Sequence, residues 1–143
     1  MEGREWIEAL PASLERQAAL LSRLLDLAEA DRRFRAFEIQ CSIARGAGDE
    51  LSDLDVGYLL ADDGFEETAA ELPARLAELG PTVDLLASRL HGFPYFFVQY
   101  SDGVQLDLSG DDTLHVRSRR GTDDHSNTLD AFTTDSSAPF RLT

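Results

Sequence analysis

One apolar run limits the fold of this chain more than any other feature of its sequence, namely LDVGYLLA (54–61). A nearly continuous apolar run of this length is typical of a central strand that is covered on both faces. Two aspartates, Asp53 and Asp55, flank Leu54 at its beginning. Because successive side chains of a strand point to opposite faces, both carboxylates lie on one face and Leu54 points into the core. The run therefore predicts a buried strand that begins with two carboxylates on the same side.

The segments around this strand predict helices and further strands. Leucines at helical spacing predict an amphipathic helix over LPASLERQAALLSRLLDLAEADRRFR, with Pro11 in its first turn. The segment 64–80 predicts a second helix that ends at Gly80, and Pro73 predicts that this helix is kinked or split in two. Further strands are predicted at 34–40 and 82–88, and a hairpin at 94–109 that turns at Asp102-Gly103. This order indicates an α/β (α+β) domain with a mixed β-sheet of about five strands flanked by helices.

The charge of the chain is strongly negative, at −14 from 27 acidic and 13 basic residues among 143. Such a charge argues against general nucleic-acid binding, and it suits metal cations, cationic small molecules or a basic protein partner. The alternative is that most of this charge only keeps the protein soluble. The N-terminus has no apolar signal core, and no window reaches the ~18 apolar residues of a membrane span, so we expect a cytoplasmic protein with no membrane partner. The single cysteine excludes an internal disulfide.

Three carboxylates are candidates for a metal site. Asp53 and Asp55 would repel each other unless a cation or water screens them, and a hard cation such as Mg²⁺ suits this pair of oxygen ligands. Asp107 lies in the second arm of the hairpin, on a strand whose other face is apolar. If that strand pairs with 54–61, Asp107 becomes a third ligand, and three carboxylates can hold two divalent ions for nucleotidyl transfer. The alternative is that these are exposed strand-end acids without a metal.

A turn of small residues, SIARGAG (42–48), precedes the aspartates. Ser42 at a helix N-cap would leave backbone N–H groups facing a phosphate. Gly46 and Gly48 would let the chain fold back toward Asp53. The turn and the acids together outline a nucleoside-triphosphate site.

These residues resemble the signature of the polymerase-beta-like nucleotidyltransferase superfamily. That signature is a Gly-Ser pair, about ten residues, Asp-x-Asp, and a third carboxylate on a later strand. Here Ser42 is followed by ten residues and then Asp53-Leu54-Asp55, with Asp107 as the third acid. The stretch SIARGAGDELSDLDVGYLLADD looks most like aminoglycoside-type adenylyltransferases and the related minimal nucleotidyltransferases. The resemblance covers roughly residues 12–110. It implies a nucleotidyltransferase domain over 1–110, followed at 111–143 by a polar extension or the start of a second domain.

The resemblance also implies roles for individual residues. Asp53, Asp55 and Asp107 would hold Mg²⁺, with Asp107 also helping to deprotonate the acceptor hydroxyl. At the nucleotide, Cys41 takes the position of the signature glycine, Ser42 would bind the terminal phosphates of ATP, and Arg45 would neutralise phosphate or pair with a neighbouring acid. The implied reaction transfers AMP from ATP to a hydroxyl of a small, possibly cationic acceptor such as an aminoglycoside, which would be an antibiotic-resistance activity.

Cys41 leaves other functions open. A Cβ and sulfur at that position crowd the approach of the backbone to phosphate, which predicts weaker nucleotide binding or a degenerate site. Cys41 thus favours a non-catalytic nucleotide-binding module as one alternative to the small-molecule enzyme. The other alternative, favoured by the short length of the chain, is a minimal nucleotidyltransferase antitoxin that binds or modifies a toxin protein.

Overall fold

A computed structural model describes residues 3–31, 33–40, 43, 46–60, 65–90 and 92–111 of the chain. The helices are α1 (Gly3–Glu8), α2 (Glu15–Glu29) and α3 (Phe65–Ala77), with a 3₁₀ turn at Ala12–Leu14. The strands are β1 (Phe34–Gln40), β2 (Leu54–Leu60), β3 (Thr82–Leu90), β4 (Phe93–Tyr100) and β5 (Gln105–Asp111). In the described part of the chain, no helix is both long and apolar enough to cross a membrane.

The strands form one mixed sheet of five strands in the order β1-β2-β5-β4-β3. Strands β2 and β5 are parallel, and the other neighbouring pairs are antiparallel. The predicted α+β class with a mixed sheet is therefore confirmed. The run that begins at Leu54 is a buried strand between β1 and β5, as its apolar sequence predicts.

The core lies between the helices and one face of the sheet. Leucines along one side of α2 and α3 are buried together with alternate residues of β4 and β5 and with nearly all of β2, including Leu54, Val98 and Leu106. Along β4 the exposure alternates strictly between buried and half-buried residues. The opposite face of the sheet, which carries Asp55 and Asp107, is called the carboxylate face below.

The helices differ from the sequence predictions at their ends. The short helix α1 is not predicted from the sequence. Pro11 does not lie inside the first helix, because its extended backbone (ψ 156°) leads into the 3₁₀ turn and α2 begins only at Glu15. Helix α3 ends at Ala77, before Gly80, and continues through Pro73 without being split in two. A proline within a helix removes a single backbone donor, and the buried Leu72 and Leu76 hold this segment against the core.

The hairpin forms at the predicted place with a different register. Tyr100 N donates to Val104 O over 2.9 Å, so the loop comprises the three residues Ser101, Asp102 and Gly103. Gly103 has a positive φ of 96°, which is the glycine position of a three-residue hairpin loop. The extra loop residue changes which β4 side chains share a face with Asp107.

Candidate active site

Two of the predicted site residues lie opposite each other on parallel strands. Asp55 is the register partner of Asp107. The apolar residues on either side of each aspartate are buried in the core. Both aspartates are half-buried on the carboxylate face. The sequence left open whether β5 pairs with β2, and the structure shows that it does. Asp55 and Asp107 therefore project from adjacent strands toward the same space.

Asp53 lies immediately before β2 and is more exposed than the other two aspartates. Partial desolvation raises the pKa of Asp53 above its ordinary value, and the negative charge of Asp107 raises that pKa further. A like charge has this effect only when the two carboxylates are close. The first acid of the Asp-x-Asp pair is thus electrostatically coupled to the acid of the later strand.

Tyr95 is a residue of this site that the sequence analysis does not identify. Its hydroxyl donates a hydrogen bond to Asp107 Oδ1. Burial, this hydrogen bond and the charges of Asp107 and Asp55 raise the pKa of Tyr95 to about 12, so the hydroxyl remains a donor at neutral pH. Tyr95 lies on the carboxylate face because Asp107 pairs with Phe97, two residues further along β4.

Helix α2 holds the chain segment that leads into Asp53. The amide of Gln17, a residue 1% exposed, donates from Nε2 to the carbonyls of Glu50 (3.1 Å) and Ser52 (3.2 Å). The neighbouring Arg16 donates to Glu50 O over 3.1 Å and also to Asp102 O in the loop before β5. One turn of one helix thus holds the entrances to both strands that carry the carboxylates.

The segment before Asp53 is also held by its own side chains. Asp49 Oδ1 accepts from the backbone N–H of Leu51 over 2.9 Å, and Ser52 Oγ accepts from the backbone N–H of Asp49 over 2.8 Å. Further upstream, Gly46 has a positive φ of 76°, a backbone conformation that glycine adopts without strain. A Cβ at Gly48 would approach Ile43 Cγ1 to 2.6 Å, so a glycine is needed there as well.

The nucleotide-binding residues predicted from the sequence are Cys41, Ser42 and Arg45. All three lie outside the described residues. Their roles stay predictions, as does the effect of a cysteine in place of the signature glycine.

The donor set of the carboxylate face fits a hard cation. Asp53, Asp55 and Asp107 offer only carboxylate oxygens, which are the ligands that Mg²⁺ prefers. Burial, and after it the charge of Asp107, raise the pKa of Asp53, and a bound cation would oppose both effects. No three His, Cys, Asp or Glu side chains converge on one metal position among the described residues. Asp107 accepts a hydrogen bond from Tyr95, Asp55 is its register partner, and Asp53 lies one residue before β2.

Comparisons with known proteins identify the fold. No protein-family profile matches the sequence, and a search of curated proteins finds no similar sequence. Among solved structures, the chain is similar to an aminoglycoside 6-adenyltransferase from Bacillus subtilis, with a TM-score of 0.52 and 20% identity over 69% of this chain and 36% of that chain. It is also similar to the Cid1 poly(U) polymerase solved with Mg 3′-dATP bound, with a TM-score of 0.53 and 18% identity over 70% of this chain and 31% of that chain.

Both similar structures are polymerase-beta-like nucleotidyltransferases, so this chain has the nucleotidyltransferase fold. The resemblance inferred from Ser42, Asp53 and Asp55 is thereby confirmed at the level of the fold. The chain spans about a third of the length of these two proteins.

Proposed function

We propose that this protein is a Mg²⁺-dependent nucleotidyltransferase that transfers AMP from ATP to a hydroxyl group. The observation that carries the proposal is the register of β2 and β5, which sets Asp55 opposite Asp107 on the carboxylate face, with Asp53 one step before the strand. The fold supports it, because the similar structures are nucleotidyltransferases.

The residues divide the work as follows. Asp53 and Asp55 would hold Mg²⁺ through their carboxylate oxygens, and the ion when bound supplies positive charge to the triphosphate. Asp107 would share in this binding and accept the proton of the acceptor hydroxyl. The acceptor oxygen forms a bond to the α-phosphorus of ATP, the bond from that phosphorus to the bridging oxygen breaks, and pyrophosphate leaves. Catalysis of this kind depends mainly on positioning and charge neutralisation.

Calorimetry with a non-hydrolysable ATP analogue tests the proposal directly. We expect binding that requires Mg²⁺, and an Asp55→Asn variant that binds the analogue with Mg²⁺ at least about ten-fold more weakly, because a carboxylate ligand of the ion is lost. Asp84→Asn is the matched control, since Asp84 is an exposed acid on β3 and the charge change is the same. Absence of binding by the wild-type protein, or equal effects of the two substitutions, would contradict the proposal.

The acceptor is proposed to be a small hydroxylated molecule, for which the negative charge of the chain favours a cationic compound such as an aminoglycoside. A protein acceptor is the second candidate. It is supported by the outermost strand β3, where Val83, Leu86 and Leu90 are 66%, 56% and 47% exposed. Exposed apolar side chains on an edge strand favour contact with another macromolecule.

Labelling separates the two acceptors. The protein is incubated with a filtered cell extract and ATP labelled at the α-phosphate, and the products are divided by ultrafiltration. Label in the small-molecule fraction as an adenylylated compound supports the first candidate. Label retained on protein supports the second, and a Leu86→Lys variant should then lose the labelling while it retains ATP-analogue binding.

A further inference from the structure

We infer that Tyr95 is a positioning residue for Asp107, and that its hydroxyl sets the orientation in which this carboxylate binds a divalent cation. The inference rests on the proposed function, because it concerns the same metal site. It extends that function to a residue outside the acidic signature, on a strand that carries no predicted ligand.

The geometry of the sheet makes this contact specific. Asp107 is paired with Phe97, and Tyr95 is paired with Ser109, so Tyr95 and Asp107 are diagonal neighbours on one face. A diagonal neighbour is within reach of a long aromatic side chain but not of a short one. The Tyr95 ring spans this diagonal and places its hydroxyl on Asp107 Oδ1.

The hydrogen bond leaves most of the carboxylate free to bind an ion. A carboxylate has about four lone-pair positions on its two oxygens, and the Tyr95 hydroxyl occupies one of them. This hydrogen bond does not use Oδ2 or the remaining positions of Oδ1, and the register partner Asp55 lies on the adjacent strand. Ligating carboxylates are commonly held by such outer hydrogen bonds, whose removal costs about 10–100-fold in metal affinity.

The hydrogen bond from Tyr95 counteracts electrostatic repulsion between the carboxylates. Asp55 and Asp107 are register partners on adjacent parallel strands, so two side chains of the same charge are neighbours on the carboxylate face. Before a cation binds, repulsion favours rotation of Asp107 away from Asp55. The Tyr95 hydroxyl opposes that rotation, so the carboxylate is already in place when the ion arrives.

The test measures binding of Mn²⁺, a spectroscopic substitute for Mg²⁺, by electron paramagnetic resonance without any activity assay. We expect Tyr95→Phe, which keeps the ring, to bind Mn²⁺ about ten-fold more weakly than the wild-type protein. Tyr100→Phe is the matched control. It removes a hydroxyl that donates to Leu76 O over 2.7 Å in the core, away from the carboxylates, and its Mn²⁺ affinity should equal that of the wild type.

A double-mutant cycle shows whether Tyr95 acts through Asp107. Asp107→Asn alone should weaken Mn²⁺ binding, and adding Tyr95→Phe to it should weaken binding no further, because the group that Tyr95 positions is already lost. Additive losses, or a Tyr95→Phe protein with wild-type or tighter affinity, would overturn the inference and leave the proposed function intact. Failure of the wild-type protein to bind Mn²⁺ would overturn both.

Discussion

Substitution of Gln17 by methionine tests how the chain segment before Asp53, at the proposed active site, is held. The side chain of Gln17 is fully buried in α2 and donates to the carbonyls of Glu50 and Ser52, directly before Asp53. Methionine has a similar length and no donor. The substitution therefore removes both hydrogen bonds while it leaves the packing of the helix nearly unchanged.

The expected loss of stability depends on which backbone carbonyls lose their hydrogen-bond donor. Glu50 O retains its hydrogen bond from Arg16, so only Ser52 O loses the side-chain donor described here. Within the described residues, Oε1 of Gln17 is buried without a hydrogen-bond partner, and its removal returns part of the loss. With about 1 kcal/mol for each hydrogen bond lost, we expect the free energy of unfolding to fall by about 1–2 kcal/mol. At about 4 °C per kcal/mol for a chain of this size, Tm should fall by about 4–8 °C.

Calorimetric unfolding measures the loss of stability. Mn²⁺ titration measures whether the protein still binds an ion when the segment before Asp53 is held less firmly. The control is Thr68→Val, because the Thr68 hydroxyl is also buried in a helix, and within the described part of the chain it has no hydrogen-bond partner. That variant should be as stable as the wild type or more stable, with unchanged metal affinity. A Gln17→Met protein that unfolds at or above the wild-type Tm would refute the view that these hydrogen bonds hold the loop.

Two further predictions concern stability. Side-chain hydrogen bonds from Arg33 lower the pKa of the buried Asp31 below its ordinary value of 3.8 despite burial, with a further contribution from Arg75. The stabilisation from these hydrogen bonds should be complete above about pH 5 and lost as the pH falls through the lowered pKa. Asp31→Asn should therefore lower the free energy of unfolding by about 2 kcal/mol at pH 7, and in a plot of Tm against pH the decrease at acid pH should be smaller. Gly110→Ala should destabilise the fold by about 1–3 kcal/mol in urea unfolding, because its Cβ would lie 2.7 Å from the ring and hydroxyl of Tyr58; equal stability would show that Tyr58 can move aside.

Local patterns in the sequence predict most of the fold. The apolar run that begins at Leu54 predicts a buried strand because its hydrophobicity reflects burial on both faces. The hairpin is predicted because Asp102-Gly103 is a turn sequence between two alternating segments. The helix ends are less predictable, since Pro11 can begin a helix or precede one. The acids of the proposed site, Asp53, Asp55 and Asp107, are recognisable because their arrangement in the sequence resembles a known signature.

The residues that support the site are not predictable in the same way. Tyr95 belongs to an aromatic run that resembles core sequence, and its partner depends on the hairpin register. With a two-residue loop Asp107 would pair with Val98, whereas the three-residue loop pairs it with Phe97 and brings Tyr95 onto its face. Gln17 is one polar residue of an amphipathic helix, and its partners are carbonyls of a distant segment. Such contacts have no local signature.

The parallel pairing of β2 with β5 has a consequence for folding. Strand β1 pairs with β2, and β3, β4 and β5 form consecutive antiparallel pairs, so most pairing in the described sheet is between strands that follow each other along the chain. The β2–β5 ladder joins these two groups across a large sequence separation, and closing such a loop is slow. Asp55 lies on one strand of that ladder and Asp107 on the other. A cation bound between them would therefore hold the two groups of strands together. Recovery of metal binding during refolding would report the pairing of β2 with β5, the last strand pairing to form.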